Sequence, residues 1–213
     1  MRLIGFSLSL LVLLDMHRAV AVDFSSDNIA LESDGAEPFS LEEIFTRGNH
    51  EARLSSGVLF SPFGTPKSRP TINYTITGLE WGYMLSEMKG AGWLRGNFEV
   101  AGQAFGSAVF TGPGHYIAGA TLWLRYNFVP KGWRFIPYIQ GGAGITFTDI
   151  DRGIVGQDFN FNLDLGCGIR YFLARQWSLN LEYQYQHISN ADLGGHNLGI
   201  NSQGPVLALS YFF

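Results

Sequence analysis

From about residue 158 to the end of the chain, apolar and polar side chains take turns. Phe159, Phe161, Leu163, Leu165, Cys167, Ile169 and Tyr171 stand against Asn160, Asn162, Asp164, Gly166, Gly168 and Arg170. In the next run Trp177, Leu179, Leu181, Tyr183, Tyr185, His187 and Ser189 share one parity, with Ser178, Asn180, Glu182, Gln184 and Gln186 between them. The last run puts Leu207, Leu209, Tyr211 and Phe213, the final residue, on one parity. A period of two sends successive side chains to opposite faces of an extended backbone, so each run predicts a β-strand with one apolar and one polar face. Leu122, Leu124, Tyr126 and Phe128, opposing Trp123, Arg125 and Asn127, predict another. Eight extended segments are expected, near 48–62, 70–86, 92–108, 115–129, 133–148, 158–173, 176–190 and 200–213, with poor alternation in the first two.

The polar faces carry Arg95, Glu99, Arg125, Asp164, Arg170 and Glu182. In a soluble β-sandwich that face is solvated; in an eight-stranded membrane barrel it is an interior too narrow for a pore and filled by paired side chains. Connection lengths favour the barrel. Links after segments two, four and six read as tight (87–90, 130–132 and 174–175), whereas the others are longer and rich in Gly, Pro, Asp and Asn, as in outer-membrane barrels with short periplasmic turns and long outer loops. The 27 glycines and 15% aromatic residues suit tight curvature and interfacial girdles. The expected fold is therefore all-β, an eight-stranded antiparallel transmembrane outer-membrane β-barrel over 47–213.

The amino-terminal part differs. Arg2, the apolar run Leu3 to Leu14 and Ala19-Val20-Ala21 read as a removed signal peptide, 1–21, the run being too short to span a bilayer; a retained anchor is the alternative. Residues 22–46 form an acidic lead-in, with Asp23, Asp27, Glu32, Asp34, Glu37, Glu42 and Glu43 and a short helical turn expected at Ser40 to Glu43. Loss of Arg2, Asp15 and Arg18 takes the formal charge from −4 to −5, which argues against global attraction to nucleic acid or to an anionic membrane surface. Cys167 stands alone, so no intramolecular disulfide forms.

With both ends of the barrel in the periplasm, odd strands run outward. An apolar band about 25 Å tall takes roughly ten residues, and counting from Trp177 it ends near His187. His187 and Ser189 thus share the lipid-facing side at the outer acyl-to-headgroup boundary, where a hydroxyl nucleophile and a base would meet an acyl ester; ordinary girdle residues are the plainer reading. His50, His115 and His196 lack ligand spacing, and neither a metal nor a cofactor is expected. Gly141 to Gly144 lies within a strand and reads as room for curvature rather than a phosphate loop, and Asn73-Tyr74-Thr75 matches a glycosylation acceptor by letter only. Lys67 and Arg69, in the first outer link, are candidates to meet phosphates of an outer-leaflet lipid, with a solvated loop as the alternative.

Tyr185-Gln186-His187-Ile188-Ser189-Asn190-Ala191, followed by Asn197-x-Gly199-Ile200, resembles the outer-membrane lipid A 3-O-deacylases, the PagL family. The motif covers about fifteen residues, and the mature chain agrees in length, strand count and ending. The resemblance implies hydrolysis of the acyl ester at the 3-position of lipid A by a Ser-His-Glu triad without metal, lipopolysaccharide and outer-membrane lipids being the partners. Ser189 and His187 match nucleophile and base. Where the family has its Glu, this chain has Asn201, of the same outward parity and expected opposite His187; Asp192, in the adjoining loop, is the rival source of a carboxylate. Asn190 and Asn197 are the candidate oxyanion donors. A non-catalytic structural barrel is the alternative and a lipid A acyltransferase the third reading, while acyl specificity and oligomeric state are not legible.

Overall fold

The computed structural model describes residues 41–62 and 70–213. Eight antiparallel strands close into one barrel in chain order: β1 (His50–Leu59), β2 (Asn73–Met84), β3 (Gly96–Thr111), β4 (Tyr116–Phe128), β5 (Phe135–Thr148), β6 (Phe159–Ala174), β7 (Trp177–Ser189) and β8 (Ile200–Phe212). Closure pairs β8 with β1 from Glu51↔Phe212 to Gly57↔Val206, so no sheet edge is left along the wall. Two one-turn helices complete the described chain, α1 (Leu41–Ile44) before β1 and α2 (Arg152–Val155) between β5 and β6.

The outer wall is apolar. Leu79, Leu122, Leu165, Leu181 and Leu207 are each more than half exposed, a belt that only a lipid environment satisfies. Two aromatic girdles border it. At the periplasmic end Trp81 meets Phe213, Phe98 meets Tyr126 and Trp177 meets Tyr211 at 4.9–5.1 Å between ring centres. At the outer end Phe147, Phe159 and Phe161 meet edge to face in sequence at 5.2–5.3 Å.

The interior has three layers, where sequence had suggested a polar filling throughout. In the middle, Arg125 donates through Nη1 to Glu51 (3.1 Å) and Glu99 (2.8 Å), through Nη2 to Glu80 (2.5 Å) and through Nε to Gln140 (2.7 Å). Arg170 donates to Glu51 at 2.6 Å and Glu99 at 3.2 Å, and Arg53 to Glu182 at 2.6 Å. All three guanidinium groups lie 5.0–5.6 Å from the Tyr138 ring centre. Toward the outer mouth the filling turns apolar, with Leu59, Ile72, Ile76, Phe105, Ile154 and Ile200 in one buried cluster. At the periplasmic mouth Phe45, just after α1, meets Phe172 and Phe212 at 6.0 and 5.9 Å and is fully buried.

These layers explain why β2 alternates poorly in sequence. The inward side of β2 is Tyr74, Ile76, Gly78, Glu80, Gly82 and Met84, largely without polar residues, yet burial alternates along the strand. Gly82 is small because a Cβ there would collide with the Glu99 carboxylate. The connections also differ from expectation. The link 85–95 is long, with a 3-10 turn at Gly92–Leu94, whereas the outer link 112–115 is short. Arg95 consequently lies in that link and not in the interior, its guanidinium bonded to Val129 O at 2.9 Å and to Glu42 of α1 at 2.8 Å.

Candidate active site

The site lies on the outward faces of β7 and β8 near their outer ends. Strand register sets it: His187 stands directly opposite Asn201, with Ile188 opposite Ile200 and Gln186 opposite Ser202. Period two keeps Tyr185, His187 and Ser189 on one face of β7, each half-buried, while Gln184, Gln186 and Ile188 fill the interior. Asn201 Oδ1 lies 2.7 Å from His187 Nδ1 and accepts the Tyr185 hydroxyl at 2.8 Å. A carbonyl oxygen facing Nδ1 favours the tautomer protonated there, which leaves Nε2 as the basic nitrogen. Among the described residues no hydrogen bond joins Ser189 to His187; in a site without substrate that contact is often long.

Gly199 allows this packing. Its φ of +68° suits glycine, and a Cβ would stand 3.2 Å from His187 Cε1 and 3.7 Å from Ser189 Cβ, so the loop backbone covers the pair at close range. The loop 190–199 is held from within. Asn190 is fully buried: its Nδ2 donates to Val155 O (3.0 Å) and His196 O (2.8 Å), its Oδ1 accepts Asp192 N–H (2.8 Å), and its own N–H goes to Asn197 Oδ1 (3.3 Å). Asn197 Nδ2 donates to Asp192 Oδ1 at 2.9 Å. The amides of Asn190 and Asn197, the candidate oxyanion donors, are thus engaged in holding the loop. Asp192 is tied to Asn197, and Asn201 is the group that meets His187. Lys67 and Arg69 lie outside the described residues.

Two features escaped the sequence. Tyr185 shares the parity of His187, which was the available signal, but its bond to Asn201 depends on the β7–β8 register. The second is a groove of about 570 Å³ on the lipid side, with Gly141, Gly166 and Cys167 as its floor and Leu124, Tyr126, Ile139, Leu165 and Tyr183 among its walls; it ends at Tyr185. The small residues leave a trough in an otherwise filled wall. Loop 149–158 braces the neighbouring loop through Leu198 N–H to Ile154 O at 2.9 Å. Farther around the rim Asp149 accepts the His115 and Tyr116 N–H groups, and these bonds hold its carboxyl down to about 2. Asp158 is lowered likewise by the Arg152 guanidinium.

A closed eight-stranded barrel with an apolar belt, two girdles and a histidine-serine pair facing lipid is an outer-membrane β-barrel bearing a candidate lipid-directed site. Residues 70–210 match the family model for lipid A 3-O-deacylase (PagL), and the chain belongs to that family. It is a bacterial outer-membrane protein. Among solved structures it is similar to the outer membrane enzyme PagL, with a TM-score of 0.54, 18% identity and coverage of 76% of this chain and 98% of that one. Neisserial surface protein A gives 0.54, 14%, 78% and 97%, and the N-terminal β-barrel domain of Pseudomonas aeruginosa OprF gives 0.51, 15%, 78% and 98%. At these identities the likeness shows the shared barrel. No curated protein sequence matches the chain.

Proposed function

We propose that the protein is a lipid A 3-O-deacylase with a Ser-His-Asn triad. The observation that carries this reading is the 2.7 Å contact between His187 Nδ1 and Asn201 Oδ1 on the lipid-facing side, two residues from Ser189. Ser189 Oγ attacks the ester carbonyl while His187 Nε2 takes its proton. The tetrahedral intermediate collapses, the proton passes to the leaving sugar hydroxyl, and water then hydrolyses the acyl-serine by the same base. Asn201 fixes the tautomer without supplying charge, and Tyr185 holds the Asn201 carbonyl toward the imidazole. Oxyanion donation falls to backbone N–H groups of loop 190–199, since the side-chain amides there are engaged. The leaving acyl chain lies in the groove that begins at Tyr185. A non-catalytic barrel is the second reading, favoured by the missing carboxylate at position 201.

Ser189→Ala and His187→Ala should each remove ester hydrolysis and leave the barrel folded. In a serine protease the whole triad contributes about 2 × 10⁶ to turnover and its carboxylate alone about 3 × 10⁴, so serine and histidine without a carboxylate account for a loss on the order of 10². The double variant should be no worse than either single one. Turnover of purified lipid A in detergent measures this; full activity in Ser189→Ala would remove the nucleophile assignment.

Cys167, exposed on the groove floor and the chain's lone cysteine, offers a test of where the acyl chain lies. A chain moving from lipid into the groove gains orientation rather than hydrophobic energy, and misplacement at the reacting centre costs roughly 10- to 10²-fold. A bulky maleimide attached to Cys167 before refolding should slow lipid A hydrolysis by that much and leave a short-chain ester unaffected. Equal rates on lipid A would place the chain elsewhere.

A further inference from the structure

Among the described residues, every lysine and arginine outside the interior except Arg152 lies at the periplasmic end: Arg47, Lys89, Arg95, Lys131, Arg134 and Arg175. The links 85–95 and 129–134, which flank the ends of β3 and β4, enclose a pocket of about 620 Å³ lined by Gly90, Gly92, Trp93, Arg95, Lys131 and Trp133 among others. This pocket is built. Val129 N–H donates to Arg95 O at 2.7 Å and Arg95 Nη1 donates to Val129 O at 2.9 Å, so the two links are stitched together. Glu42 reaches Arg95 from α1 and is neutralised by it.

The side chains offered to a ligand are donors. The ammonium of Lys131 and the indole N–H groups of Trp93 and Trp133 have no partner among the described residues, and no carboxylate lines the pocket. Trp93 is 68% and Trp133 50% exposed, at the level where indoles settle between headgroups and acyl chains. A donor-only set of this kind recognises an anion rich in acceptor oxygens. On the membrane side, Tyr126 donates its hydroxyl to Leu94 O at 2.7 Å and stands edge to face with Phe98 at 4.9 Å. Those two rings also line the inner end of the apolar groove. Anionic recognition and an alkyl track are thus contiguous.

We infer that this pocket holds the phosphate of an inner-leaflet phospholipid, whose acyl chain lies along Phe98 and Tyr126. The inference is independent of the catalytic reading. A headgroup held there fixes the depth of the barrel, and with it the height of Ser189 at the opposite boundary.

The test uses the mature protein folded in mild detergent, offered dioleoyl phosphatidylglycerol and dioleoylglycerol in equal amounts and examined by native mass spectrometry. The parent should retain one phospholipid and little diacylglycerol. Lys131→Glu combined with Trp133→Ala should lower retention about tenfold or more, because charge reversal at the surface replaces attraction with repulsion; Arg152→Gln, at the other rim, should not change it. Heat-modifiable migration checks folding, and Lys131→Gln alone replaces the double variant if that fails to fold, with a smaller loss expected. Equal retention of the uncharged lipid, unchanged retention in the Lys131 variants, or displacement by glycerophosphate at the concentration of the lipid would each overturn the inference.

Discussion

Asn201→Glu is expected to raise turnover of an ester-linked lipid A by up to about 10⁴, the factor that a triad carboxylate is worth in serine proteases. The reason is electrostatic. In the proposed reaction Ser189 loses its proton and His187 becomes an imidazolium, which an amide at 2.7 Å would orient while a carboxylate would also stabilise its charge. Asn201→Asp is the isosteric version and keeps the hydrogen bonds from both His187 and Tyr185. Asn201→Ala should lower turnover below the parent, because the imidazole is then free to present the wrong nitrogen. Asp192→Asn should have little effect, its carboxylate being engaged with Asn197. Comparing these variants in one detergent checks the assignment; a loss confined to Asp192→Asn would transfer the orienting role to the loop.

Arg125→Ala should have the largest effect on stability. Its guanidinium is fully buried and binds Glu51, Glu80, Glu99 and Gln140 together. Removing one partner from a buried ionic cluster leaves uncompensated charge and costs about 3–5 kcal/mol. Arg170 still covers Glu51 and Glu99, whereas among the described residues Glu80 keeps only Arg53, at 4.0 Å. Glu80→Gln in the Arg125→Ala background should recover part of the loss, since the stranded charge is then gone. Urea unfolding in detergent micelles measures both; a change below 1 kcal/mol in Arg125→Ala would mean that the ionic layer is not what stabilises the barrel.

The later strands were legible because their two faces meet different solvents. In β6 and β7 the lipid side is Leu, Ile, Tyr and Phe and the inner side Asn, Asp, Gln and Glu, so period and burial coincide. In β2 the inner side is itself apolar or glycine, and the contrast vanishes although the strand is regular. The length of the link 85–95 is not legible in the sequence, since Arg95 is held there by Val129, a contact across two connections. At the site, parity along β7 and β8 was enough to bring His187, Ser189 and Asn201 to one face. It was not enough for Asn190, whose buried amide is committed to Val155 and His196. Those partners belong to loop paths that no strand period records.

On the proposed reading, this barrel releases an ester-linked acyl chain from lipid A. Mass spectrometry of lipid A from cells producing the parent protein, the Ser189→Ala variant or neither tests it most directly. A species lighter by one hydroxyacyl group at the 3-position is expected with the parent and absent from both other strains, and a further strain producing Asn201→Glu should hold more of it. Identical lipid A in all of these strains, with each barrel folded and present in the outer membrane, would contradict it.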